Sequence, residues 1–131
     1  MRFLSVILLL LLVKPVSADY TEAANYARNN RARMFVMFTA SWCGPCQRLK
    51  QDVLIPLKEV LAKRYVIYHV DIDREPQVAE VYKRIGCFNG SVPTYVLIDN
   101  DFQVMGVGQG YKSIGDFVQW HNIVVERHDK N

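Results

Sequence analysis

Five consecutive apolar residues, Met34-Phe35-Val36-Met37-Phe38, set the first constraint on this chain. A β-strand turns successive side chains to opposite faces. A strand-length run with no polar position therefore predicts a strand buried on both sides, inside a sheet covered by helices front and back. The 131 residues are half hydrophobic, enough for one domain to build such a core without metals or extra disulfides.

The rest of the pattern fits an α/β chain. Alanines and aromatics over 19–30 predict a short helix, and 31–33 a polar break. After the apolar run, 39–42 form a turn and a helix runs from about Gly44 to Leu54, breaking before Pro56. A second helical piece spans 57–63. Residues 65–72 are rich in β-branched and aromatic side chains and predict a strand. Asp73 is expected to cap the next helix, which holds Pro76 in its first turn and ends near Gly86. Asp71 is read as a strand-end residue, and 87–91 as a loop. Residues 94–98 and 102–107, joined through Asp99-Asn100-Asp101, predict a hairpin that Gly108 and Gly110 end. A last helix from about Ser113 to Val125 is expected to bury Ile114, Phe117, Val118, Val124 and Val125. A strand–helix–strand unit demands parallel pairing and the hairpin antiparallel pairing. The expectation is a central mixed four-stranded sheet flanked by helices on both faces.

Trp42-Cys43-Gly44-Pro45-Cys46 stands where the apolar strand hands over to a helix. The reactive form of cysteine is the thiolate, and a helix N-terminus carries a partial positive charge that favours it. Cys43 falls at that end, with Cys46 one turn further on the same face. Cys43 is placed to attack a disulfide and Cys46 to resolve the mixed disulfide. An inert structural disulfide is disfavoured, because so short a loop removes little chain entropy. A zinc site would need two more ligands, and only Cys87 and His69 lie near enough in sequence, so no metal is expected.

With these elements in place, the chain resembles the thioredoxin superfamily from about Arg33 to Val125. The resemblance rests on Trp42-Cys43-Gly44-Pro45-Cys46, on Val70-Asp71-Ile72-Asp73, on Val92-Pro93-Thr94 before a strand, and on Gly108 after the hairpin. Val53-Leu54-Ile55-Pro56 and Gly110-Tyr111 are similar to exported thioredoxin-like reductase domains. The resemblance implies a thioredoxin fold and thiol–disulfide oxidoreductase activity on protein disulfides or dithiols, with no bound cofactor. It implies that Cys43 is the exposed nucleophile and Cys46 the recessed thiol. Pro93 would follow a cis peptide bond and lie against the cysteines, Val92 would pair with an extended substrate segment, and Trp42 would shield the site. Gly44 and Pro45 complete the substrate-facing surface, and the Gly-Pro pair resembles reducing members. The alternative is a thioredoxin-fold binding or chaperone module with incidental redox activity.

Three departures from the family pattern stand out. Where the family often buries a carboxylate in the first core strand, this chain has Met37. The usual partner lysine aligns with His69, which makes His69 a candidate proton acceptor, imidazole being the side chain that titrates near neutrality. The loop before Pro93 is longer than usual and carries Cys87, which is expected to act as a small buried hydrophobe. Tyr111 is read as a packing residue, and Gly108 as permitting an unusual backbone conformation or a turn. His121 and His128 are given no function.

Residues 1–18 read as a cleaved secretory signal: Arg2, an apolar run from Phe3 to Val13, then Val16-Ser17-Ala18. Residues 19–131 then form one thioredoxin-like domain. Setting aside Arg2 and Lys14 leaves 14 basic against 13 acidic side chains, a net charge of +1. No basic stripe points to nucleic acid. The last four residues, His128-Asp129-Lys130-Asn131, do not match the standard retention signal of the endoplasmic reticulum. The expected location is a bacterial periplasm or the cell exterior, with the reticulum lumen as alternative. A monomer served by a membrane-bound electron donor or acceptor is expected.

Overall fold

The computed structural model describes residues 19–131, and the expected signal segment lies outside the described residues. Helix α1 (Tyr20–Asn30) starts at Asp19, whose carboxylate accepts the Glu22 N–H at 2.9 Å. Strand β1 (Arg33–Thr39) follows. Then come helix α2 (Gly44–Leu49), a π-helical turn (Lys50–Leu54) and helix α3 (Lys58–Ala62). Strand β2 (Tyr65–Asp71), helix α4 (Pro76–Arg84), strands β3 (Thr94–Ile98) and β4 (Val104–Gln109), and helix α5 (Ile114–Lys130) complete the order.

The sheet runs β2-β1-β3-β4. Strand β1 pairs in parallel with β2, Met37 opposite His69, and antiparallel with β3, Met37 opposite Tyr95. The β3–β4 pair is antiparallel. This is the expected mixed sheet, and the apolar run is its most enclosed strand. Met34, Val36 and Phe38 point into a core layer with Ala24, Ala27, Val78, Ala79 and Tyr82 of α1 and α4. Phe35 and Met37 point into the other layer, with Leu49, Val53, Leu61 and Phe117 from the α2–α3 segment and α5. A run apolar on both faces is buried on both faces.

Four local expectations are corrected. Asp73 does not cap α4. Glu75 holds the N-cap position without a side-chain cap bond, Pro76 follows it, and the Asp73 carboxylate is engaged elsewhere. Strand β4 starts later than expected, because Asp99 accepts the Asp101 and Gln103 N–H groups at 2.9 and 2.8 Å and draws Phe102 into the turn at φ 62°. Gly108 lies inside β4 rather than ending it. A Cβ there would come within 2.9 Å of Trp120 Cε2 and closer still to the Tyr95 ring. The residue is glycine for want of room, not for backbone freedom. Finally, α5 runs on to Lys130, and it buries Phe117 and His121 with Trp120 and Val124 packed beside them. Ile114 and Val118 stay exposed.

The long helix after the cysteines does break before Pro56, and the break has a specific form. The Ile55 N–H reaches the Lys50 carbonyl five residues back, at 2.8 Å. A π-turn of this kind carries one residue more than an α-turn.

Candidate active site

Strand β1 ends at Thr39, and Ala40-Ser41-Trp42 carry the chain over the sheet edge to α2. Cys43 is the N-cap of that helix, in extended backbone conformation, and its Sγ accepts the Cys46 N–H at 3.2 Å. Pro45 sits in the first turn, where a missing N–H costs nothing. The two sulfurs are joined as a disulfide, with Cα atoms 5.3 Å apart. In this oxidised form Cys46 is fully buried and Cys43 is 4% exposed. Cys43 was expected to be exposed, but while the bridge is closed it is buried like Cys46. Both sulfurs belong to the layer that contains Met37, which offers no proton-accepting atom.

The loop from Cys87 to Pro93 forms the facing wall. The Val92–Pro93 peptide bond is cis, as the resemblance implied. The Val92 carbonyl oxygen lies 3.6 Å from Cys43 Sγ. In the disulfide that sulfur has no proton, so the approach is a contact. In the reduced form the same geometry lets the thiol donate. Among the described residues, neither the N–H nor the C=O of Val92 takes a backbone hydrogen bond. Pro93 is buried, and its carbonyl accepts the Gly110 N–H at 2.8 Å.

Trp42 is 67% exposed. Its indole N–H donates to Asp73 Oδ2 at 2.9 Å, and the Asp71 carboxylate holds the Asp73 N–H at 2.9 Å. Gly44 and Pro45 are exposed beside it. The aspartates at and just after the end of β2 therefore orient the site's aromatic lip, Asp73 directly and Asp71 through Asp73. Nothing in the spacing of Asp73 shows this, since its partner lies 31 residues earlier.

His69 is placed by register next to Met37, one strand out from the centre. Its side chain lines a groove with Lys50, Leu54 and Ile67. Desolvation against that lining lowers its pKa below the ordinary imidazole value although the side chain keeps an exposed edge, and the Lys50 ammonium lowers it further. Among the described residues it makes no hydrogen bond to either cysteine. Cys87 is the free thiol, buried, with Sγ 3.6 Å from the Tyr82 carbonyl and its pKa raised by burial. It packs as the small hydrophobe expected. Tyr111 donates to Asp52 Oδ2 at 2.7 Å and lies under the Arg48 guanidinium, so it ties the post-β4 loop to α2. Among the described residues no group of three His, Cys, Asp or Glu side chains is placed to hold a metal ion.

A helix-capping cysteine bridged to a second cysteine, in contact with a cis-proline loop at one end of a mixed sheet, agrees with comparison against known proteins. Residues 15–100 match the profile of a family described as thioredoxin-like. The chain belongs to the thioredoxin-like family. Thioredoxin H-type of Fagopyrum esculentum is 30% identical over 89 residues, covering 66% of this chain and 68% of that protein. Thioredoxin H3 of Arabidopsis thaliana is 28% identical over 111 residues, covering 82% and 86%. A solution structure of a thioredoxin from Thermus thermophilus superposes with a TM-score of 0.67 at 23% identity, over 81% of this chain and 83% of that one, a likeness of fold. This thioredoxin-like protein is a thiol–disulfide oxidoreductase, with the Cys43–Cys46 pair as its redox-active disulfide.

Proposed function

We propose that the protein reduces disulfides in other proteins, with Cys43 as nucleophile and Cys46 as resolving thiol. The observation that carries this is the Cys46 N–H directed at Cys43 Sγ at the start of α2. A sulfur in that position gains from the helix terminus once it is a thiolate. The thiolate attacks one sulfur of the substrate disulfide, forms a mixed disulfide, and releases the other sulfur as a thiolate that takes a proton. Cys46 then loses its proton and attacks Cys43 Sγ. The substrate leaves as a dithiol, reduced by two electrons, and the protein is left as its own disulfide.

The unpaired backbone of Val92 suits an extended substrate segment pairing beside the sulfurs, with Trp42, Gly44, Pro45 and Pro93 as the surrounding surface. With Met37 at the usual carboxylate position, His69 takes the proton from Cys46 through solvent. Residues 1–18 direct export, and the exported monomer draws its electrons from a membrane-bound donor.

Cys43→Ser is expected to abolish accelerated reduction of a protein disulfide by dithiothreitol. Cys46→Ser is expected to trap substrates as mixed disulfides on Cys43. Full activity in Cys43→Ser would remove Cys43 as the nucleophile. The direction of exchange is tested by equilibration with glutathione. A potential near that of thioredoxin, about −270 mV, supports a reductase, and one near about −120 mV reverses the assignment to an oxidase.

A further inference from the structure

The groove beside His69 is distinct from the cysteine surface, and its chemistry is unusual for a gap between helix and sheet. It measures about 540 Å3, within the range of small-molecule sites. Its walls are Phe35, Leu54, Leu61 and Ile67. Its polar groups are cationic or neutral: Lys50, Lys58 and His69, with the Tyr65 hydroxyl turned away to His121. Among the described residues neither lysine has a carboxylate within ion-pair distance. The π-turn over 50–54 supplies Lys50 and Leu54 to one wall, and Ile55 follows them at the rim. An apolar trough with two uncompensated ammonium groups and no acid matches a ligand of the opposite pattern.

We propose that this groove binds a small amphipathic carboxylate, an apolar chain or ring bearing one acid group, with the acid held by Lys50 and Lys58. The apolar part lies along Leu54, Leu61 and Ile67, where burial supplies the affinity, and the two ammonium groups select an anion over a neutral isostere. The site is one helical turn from the chemistry, because the Lys50 N–H bonds to the Cys46 carbonyl.

The test uses the oxidised protein in isotopically labelled form, titrated with octanoate and, separately, with 1-octanol. The disulfide stays closed throughout, so the result does not depend on the redox reading. Saturable shifts confined to Lys50, Leu54, Lys58, Ile67 and His69 with octanoate are expected. Lys50→Ala with Lys58→Ala is expected to weaken octanoate binding about fivefold while leaving 1-octanol binding unchanged. Ile55→Asp, at an exposed position on the rim, is expected to weaken octanoate in the same sense without disturbing the fold. The absence of shifts at millimolar octanoate overturns the proposal. So does 1-octanol binding as tightly as octanoate, or octanoate affinity unchanged in both variants.

Discussion

Trp42 is a large ring held by one hydrogen bond, and its behaviour should follow that bond. With most of its surface in water, little packing fixes its orientation, whereas Asp73 fixes the indole nitrogen. Removing the acceptor by Asp73→Ala loses a bond worth about 0.5–1.5 kcal/mol. If Trp42 forms part of the docking surface, KM for a protein disulfide should rise about 2- to 10-fold, while turnover of a small disulfide changes little. Asp73→Asn, which keeps an acceptor oxygen, should restore most of the loss. Steady-state kinetics on both substrate types check the split. A variant that lost both activities together would assign Asp73 to folding alone. The same residue shows where reading a sequence stops. An aspartate between a strand and a helix reads as a cap, but Pro76 already points to Glu75 as the N-cap, and only the fold brings the indole that engages Asp73.

At the scale of elements, β4 and α5 meet without spare room. Gly108 faces the Tyr95 ring, and Trp120 covers both, with its Nε1 donating to the Val107 carbonyl at 3.3 Å. Gly108→Ala should therefore destabilise by about 1–3 kcal/mol through overpacking, read as a lower urea midpoint with an unchanged slope. An unchanged midpoint would show that the Tyr95 ring can move aside. The elements themselves were largely legible. The apolar run marked β1, the Pro56 break marked the end of the long helix, and the Val92-Pro93-Thr94 step marked β3. The misread elements have different causes: Asp73 finds its partner 31 residues away, Asp99 closes a tight turn on its own neighbours, and Gly108 is set by want of room. His121 is polar by composition yet buried, because its Nε2 meets the Tyr65 hydroxyl at 2.7 Å. A count of apolar positions on α5 therefore passed over it and the neighbouring Trp120. The cysteine pair was readable because its chemistry is local, and its cis-proline wall, 49 residues away, only through the family resemblance; the groove was not, because its two lysines look like any solvated pair until the π-turn and α3 set them beside β2.

For the molecule as a whole, pH should act on stability through His69. Its pKa is lower folded than the ordinary value of 6.5, with burial the first cause and Lys50 the second. Between those two values the unfolded chain binds more protons than the folded one, so stability rises with pH across that window and is lost as pH falls through it. His69→Gln should flatten the dependence as pH falls below the ordinary imidazole range, which urea melts at each pH would show. An unaltered slope would move the proton linkage to another group. The sheet also separates the molecule's sulfur chemistry. Cys87 lies in the layer with α1 and α4, and the bridged pair lies in the layer with α2 and α5. An odd third thiol is thus partitioned from the shuttling pair by the thickness of the sheet. In the oxidised protein the rate at which a thiol reagent labels that lone sulfur becomes a built-in clock for the opening of the loop that carries it.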